Sequence, residues 1–359
     1  MLAVVPSGLL ASVPPANKAK PLPRVGEFVR FLDPITETAV VRLTSLRSNS
    51  FLPASTNSFV SVKDRFLVFS SDRGGRLAPY QVDLHSGVVT QLAKPDKLIP
   101  ESLSLNRRGN SLYFLDGGAL QEIMLSTRKV KPLAEQVSSF CEIHGSSSGT
   151  PANFAIVRER RLELLNDESK PLAEDVDNFC LVRPGGTGCF FCRQDSVGER
   201  EFWYTPFLGA GIANEAVLLA KGRIANPVWT PDGQSLLFLR QVAKADLVIS
   251  EIHSVNPETR SEQRIAATTQ FAAFSPNGDA SVFVGASSSK AQPTILLLVA
   301  EVQRELTLCE HRASHPAFVS PVFSPDSRRV YFQSDHEGKS ALYSVNVEAL
   351  VEPTPSGDL

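Results

Sequence analysis

The sequence predicts an all-β chain folded as a seven-bladed β-propeller. Three observations carry this: one hairpin unit recurs along the chain, its copies are evenly spaced, and no helical periodicity lies between them. The clearest copies are segments 226–238 (NPVWTPDGQSLLF), 271–283 (FAAFSPNGDASVF) and 320–332 (SPVFSPDSRRVYF). In each, a bulky apolar residue is followed nine positions later by Phe: Trp229/Phe238, Phe274/Phe283 and Phe323/Phe332. Weaker copies with the same offset stand at Val60/Phe69, Leu105/Phe114 and Val182/Phe191.

Each copy reads as two short strands around a Pro-Asp-Gly or Pro-Asn-Gly turn. Proline presets φ, Asx caps the turn and Gly accepts positive φ. A polar loop follows, as at 70–76 (SSDRGGR) and 333–339 (QSDHEGK). A third strand then carries an aromatic 11 residues beyond the Phe, Tyr80 after Phe69 and Tyr343 after Phe332. Next come the turn Asp83–Gly87 and a fourth strand over 88–93. Four antiparallel strands without a crossover helix make one blade.

Spacing sets the blade count. The anchors step by 45 residues from Val60 to Leu105 and by 77 to Val182, then by 47, 45 and 49. The long step hides one degenerate blade over 138–174, with a swollen turn at 144–149 (HGSSSG). The last blade supplies three strands of its own, and its missing outer strand is assigned to Ala39–Thr44 from the other end of the chain. Pairing the two ends removes an open edge. The predicted organisation is a loose tail over 1–24, a propeller over 25–350 and a C-terminal tail over 351–359. Val25 to Phe31 and the strand aromatics are assigned to packing between blades.

Composition limits the functional classes. The 359 residues carry 36 Lys+Arg against 38 Asp+Glu, a net charge of -2, which lacks the basic footprint of a nucleic-acid or anionic-membrane binder. No apolar run approaches the roughly 18 residues of a membrane span. Five cysteines (Cys141, Cys180, Cys189, Cys192, Cys309) are too few and odd in number for a disulfide framework. The N-terminus begins apolar, but Lys18 and Lys20 follow the apolar part, and Pro6, Pro14 and Pro15 interrupt it. No Asn-x-Ser/Thr site occurs. A cytoplasmic protein is expected, with export as the alternative.

Blades ending in a Phe-Ser-Pro-Asp turn, then Phe-x-Ser-Asp, resemble TolB-type propellers. Segments 31–44 (FLDPITETAVVRLT), 57–59 (NSF) and 69–72 (FSSD) resemble the opening of the oligogalacturonate lyase family, and 320–335 resembles its last blade. The resemblance implies seven blades and a divalent metal, as a rule Mn, held by a Gln-x-x-His-x-His set just before the last inner strand. Laid on this chain, the glutamine position falls at His315 and the two histidines at Phe318 and Ser320. Phenylalanine supplies no donor to a metal that needs several N or O ligands. The resemblance therefore implies a lyase-like frame for uronate (pectin) oligosaccharides with impaired or lost catalysis; the alternative is a non-catalytic TolB-like propeller binding a protein or peptide.

Candidate residues gather near the last blade. His311 and His315 lie in the connection from one blade's outer strand to the next inner strand, and Asp335 and His336 lie between second and third strands. Both loop classes open on one face of a propeller, shared with Asp72, Arg73 and Arg76 of the first blade. The expectation is a rim for an acidic oligosaccharide or a protein partner. Ligand-binding candidates are Asp72, Arg73, Arg76, Asp335 and His336, and His311 and Arg312 are the catalytic candidates. His311 and His315 are the ligands should a Mn ion bind.

Two motifs are set aside. Cys189-Phe-Phe-Cys192 lies in a strand, where an offset of three puts the sulfurs on opposite faces. Segment 145–149 (GSSSG) matches the nucleophile-elbow pattern, but that elbow needs a helix after the strand and Ser147 falls in a hairpin turn. A serine hydrolase, which would need a catalytic domain beside the propeller, is therefore not expected.

Overall fold

The computed structural model describes all residues except 1–25, 145–153, 166–170, 208–214, 245–246, 269 and 355–359. The GSSSG motif and the N-terminal tail lie outside the described residues. Seven antiparallel sheets follow one another around the ring. Each of the six described turns between first and second strands places its fourth residue at positive φ: Asp64, Gly109, Gly186, Gly233, Ala280 and Ser327. That shared turn geometry is the physical content of the repeat.

Blade one comprises Ser50–Phe51, Phe66–Ser71, Ala78–Asp83 and Val89–Gln91. Its inner strand resumes as a single bridge, Val60 to Leu67, after an eight-residue loop. Blade two comprises Ser104–Leu105, Ser111–Asp116, Ala119–Met124 and Lys129–Ala134. Blade three is the degenerate one predicted from the long step. Among the described residues it has three strands, Ser139–Glu142, Phe154–Arg158 and Arg161–Leu164, and an isolated Leu162–Ala173 bridge at the place of a fourth.

Blade four (Cys180–Val182, Gly188–Gln194, Arg200–Pro206, Val217–Gly222) and blade five (Ile224–Trp229, Leu236–Lys244, Leu247–Val255, Glu262–Thr268) are regular. Blade six comprises Phe271–Pro276, Val282–Ser287, Thr294–Val299 and Arg304–Glu310. Its turn departs from the predicted Pro-Asn-Gly geometry. Pairing continues through Pro276 to Phe283, and the turn closes two residues later, from Asn277 to Ala280. Gly278 instead permits close approach, since a Cβ there would lie 2.3 Å from the Thr354 hydroxyl. Thr354 and Val351 are buried against the last blade, so packing extends past the predicted boundary at 350.

Blade seven closes the ring as predicted. Val322–Phe323, Arg329–Ser334 and Ala341–Asn346 come from the C-terminal end, and Ala39–Arg42 pairs with Ala341–Asn346 as the fourth strand. Assigning Val25 to Phe31 to packing between blades was incorrect for the strand it enters: Val29–Leu32 is a fifth, outermost strand paired to Ala39–Arg42, with all four residues exposed. The hairpin is turned by Asp33, whose Oδ1 accepts the N–H groups of Ile35 and Thr36. Asp33 Oδ2 also accepts the Glu310 N–H at 2.9 Å, and the Thr36 hydroxyl donates to the Leu308 carbonyl at 2.7 Å. The closing hairpin is thereby tied to blade six as well as to its own blade.

Side-chain alternation builds the core. In Gly188–Gln194, Cys189 and Phe191 face the blade-three side, while Phe190 and Cys192 join Phe202 and Phe238 toward blade five. Cys189 and Cys192 thus point to opposite faces, and all five cysteines are free thiols.

Candidate functional site

The rim beside blade seven is built from the connection 311–321, the loop 335–340 and the N-terminal segment. His311 is fully buried. Its Nδ1 accepts the Ala313 N–H at 3.1 Å, which leaves Nε2 to donate to the Ser287 carbonyl at 3.0 Å. Burial holds its imidazole below the ordinary pKa, so the ring is neutral. Cys309 and His311 share strand parity, and both turn inward. His311 therefore ties blade six to the start of blade seven and has no nitrogen free for a metal or a proton relay.

His315 is exposed and meets the Phe318 ring edge-on at 5.8 Å. Phe318 is 68% exposed. Gln333 fixes the backbone beneath it: its side-chain amide donates to the Phe318 carbonyl and its Oε1 accepts the Leu52 N–H at 2.7 Å. Ser320 sits in the left-handed region at φ 46. Of the three positions matched to metal ligands, one holds an exposed histidine, one an aromatic ring and one a strained serine. This donor set does not fit Mn. Among the described residues, no three His, Cys, Asp or Glu side chains are grouped to hold a metal ion.

The remaining candidates are engaged with one another. Arg312 pairs with Glu310. Asp335 accepts the Ser314 N–H at 2.8 Å and its hydroxyl. Burial would raise the Asp335 carboxyl, but these bonds outweigh it and hold the pKa below the usual value. His336 lies over Tyr343 at 5.5 Å, with Nδ1 3.2 Å from the Ser334 hydroxyl, and burial lowers its pKa. Arg42 contacts Glu337 at 2.6 Å, and the Tyr343 hydroxyl donates to the same carboxylate at 2.9 Å.

From blade one, Asp72 accepts both the backbone and the side-chain N–H groups of Asn49 at 2.8 Å. Asn49 Oδ1 in turn accepts the Ser340 N–H, which joins Asp72 to the blade-seven loop. Arg73 turns away, pairing with Glu27 at 2.7 Å over the rings of Phe69 and Tyr80. Arg76 reaches outward to Asp96. The structure therefore gathers His315, Arg312, Asp335, His336 and Asp72 along one rim, but not Arg73 or Arg76. Arg42 and Asn49 escaped the sequence reading; Arg42 ends the closure strand, and Asn49 lies in the connection from it to the blade-one inner strand, both arriving beside loop 335–340.

On this rim Arg42 and Arg312 each have a carboxylate partner. The pairing engages the two arginines nearest the candidate residues, and the rim presents an exposed aromatic ring, Phe318.

No protein-family model matches the chain, and no curated protein matches it by sequence. Solved structures do. A structure described as oligogalacturonate lyase in complex with manganese is 19% identical, with a TM-score of 0.75 over 90% of this chain and 98% of that one. Oligogalacturonate lyase from Vibrio parahaemolyticus is 17% identical, with a TM-score of 0.73 over 90% and 97%. A chain of a mitotic checkpoint complex is 13% identical, with a TM-score of 0.55 over 86% and 93%. At these identities the likeness is one of fold: this chain is a seven-bladed propeller with the architecture of the oligogalacturonate lyases.

Proposed function

We propose that this protein is a non-catalytic propeller on an oligogalacturonate-lyase-like frame, and that its blade-seven rim binds a protein or peptide. The observation that carries the reading is Phe318, exposed at a position where the resembled family places a metal ligand. An exposed aromatic ring beside His315, on a backbone held by Gln333, has the character of an interface anchor. Binding of an acidic oligosaccharide is the second reading, supported by the fold likeness to oligogalacturonate lyases. It is weakened by the paired state of Arg42, Arg73 and Arg312.

Two assays test this. Oligogalacturonate supplied with Mn is expected to yield no unsaturated product. A displayed peptide library is expected to yield binders that lose about tenfold or more in affinity against Phe318→Asp, a change of roughly 1.4 kcal/mol. Turnover of the oligosaccharide, or peptides indifferent to Phe318→Asp, would overturn the proposal.

A further inference from the structure

A groove of about 610 Å³ runs between blades two and three. It lies at the turns joining first to second strands, so it opens on the face opposite the blade-seven rim. Arg107 and Arg108 border it, in the turn Asn106–Gly109, and Lys131 lies on the outer strand of blade two. Among the described residues none of these three cations forms an ion pair, whereas Arg42, Arg73, Arg183, Arg240 and Arg329 all do. The comparable groove between blades four and five is self-neutralised. There Arg183 lies over Tyr204 and Trp229 and pairs with Glu258.

The groove also holds an unsatisfied acid. Glu142, at the end of the blade-three inner strand, has a side chain only 21% exposed, and its Oε2 is buried without a hydrogen-bond partner. His144 Nε2 lies 3.6 Å from that oxygen. Tyr113 forms part of the wall, its ring edge-on to Phe154 at 4.9 Å. A buried acid oxygen without a hydrogen-bond partner, in a concave site whose lining also holds three cations without ion pairs, is costly unless something else completes it.

We propose that this groove is a binding site for a small oxyanion, a phosphate or a carboxylate, held by Arg107, Arg108 and Lys131 over the Glu142 carboxyl. Binding is linked to a proton. Burial, with a further push from Glu122, raises the Glu142 carboxyl to about 7 against a lowering backbone contact from Arg107. An anion placed beside it favours the protonated form, which can donate a hydrogen bond to the ligand. The titratable and charged groups that line the groove with Glu142 are Tyr113, Glu122, Lys131, Arg107, Arg108 and His144. Burial and Arg107 hold His144 below its ordinary value, so it is neutral at pH 7 and adds positive charge only at lower pH. Both titrations act in the same direction: affinity rises as pH falls.

Calorimetric titration with inorganic phosphate and, separately, malonate tests this at low salt. One-site binding of at least one anion is expected and, once the ligand's own titration is accounted for, it is tighter at about pH 6 than at about pH 8. Phosphate alone would identify a phosphoryl ligand, and malonate alone a carboxylate. Arg107→Ala/Arg108→Ala, on an exposed turn, is expected to weaken binding about tenfold or more. Glu142→Gln is expected to keep binding but flatten its pH dependence. Absence of saturable binding of either anion at about 10 mM, or binding unaltered in the double variant, would overturn the proposal.

Discussion

Val40→Asp is expected to cost roughly 4 kcal/mol or more and to abolish the cooperative fold at moderate temperature. Val40 is 2% exposed and pairs with Val345 in the strand that closes the ring. Its side chain packs in the blade-six and blade-seven cluster with Val330, Phe332 and Tyr343. A carboxylate there has no partner and little water. The neighbouring ladder also depends on this strand, through Leu43 N–H donating to the Leu342 carbonyl and Leu342 N–H donating to the Thr44 hydroxyl. Losing it would open an edge along blade seven. Val29→Asp on the outermost strand, at a residue 42% exposed, is expected to cost at most about 0.5 kcal/mol. Urea unfolding of both variants checks the contrast. A Val40→Asp loss below about 1 kcal/mol would show that closure is not where stability is concentrated.

Phe202→Ala is expected to cost about 3–5 kcal/mol. Phe202 is fully buried between Phe190, at 5.1 Å edge-on, and Phe238 of the next blade, at 5.5 Å edge-on. The lost terms are the transfer energy of the ring, the cavity left behind and two aromatic contacts of about 0.5–1.5 kcal/mol each. Because Phe238 belongs to blade five, a double-mutant cycle between the two positions reports coupling across the blade boundary. A cost below about 1.5 kcal/mol, or zero coupling, would contradict the interlocked packing described above.

Most of the architecture was legible in the sequence because the hairpin turn is a local device with strict chemistry. Pro231-Asp232-Gly233 and Pro325-Asp326 mark turns that need no tertiary information, and the nine-residue offset follows from them. The closing strand was legible by elimination, since blade seven lacked a fourth strand. The outermost strand, Val29–Leu32, was not, because its pairing partner is itself a long-range addition and its residues are exposed. The shifted turn of blade six escaped because Gly278 looks like a turn glycine, whereas the approach of Thr354 is what requires it to be small.

The candidate site was legible in position more than in role. The loops around 311–315 and 335–336 do share one rim, as strand order requires. What the sequence hid is which side chains turn inward. His311 continues the alternation of Cys309 into the core, so a residue that reads as a ligand is a packing element. The blade-two turn was overlooked for the opposite reason. Arg107 and Arg108 stand where blades five and seven carry Pro-Asp, a dibasic substitution whose meaning appears only once Glu142 is seen across the groove.

The central claim is that side-chain packing and an exposed aromatic occupy the place where the resembled fold keeps its metal. Manganese titrated into the purified protein tests it most directly, followed by calorimetry and by the midpoint of thermal unfolding. The account expects no saturable heat and no rise in Tm. One-site binding that raises Tm and disappears in His315→Ala would contradict it.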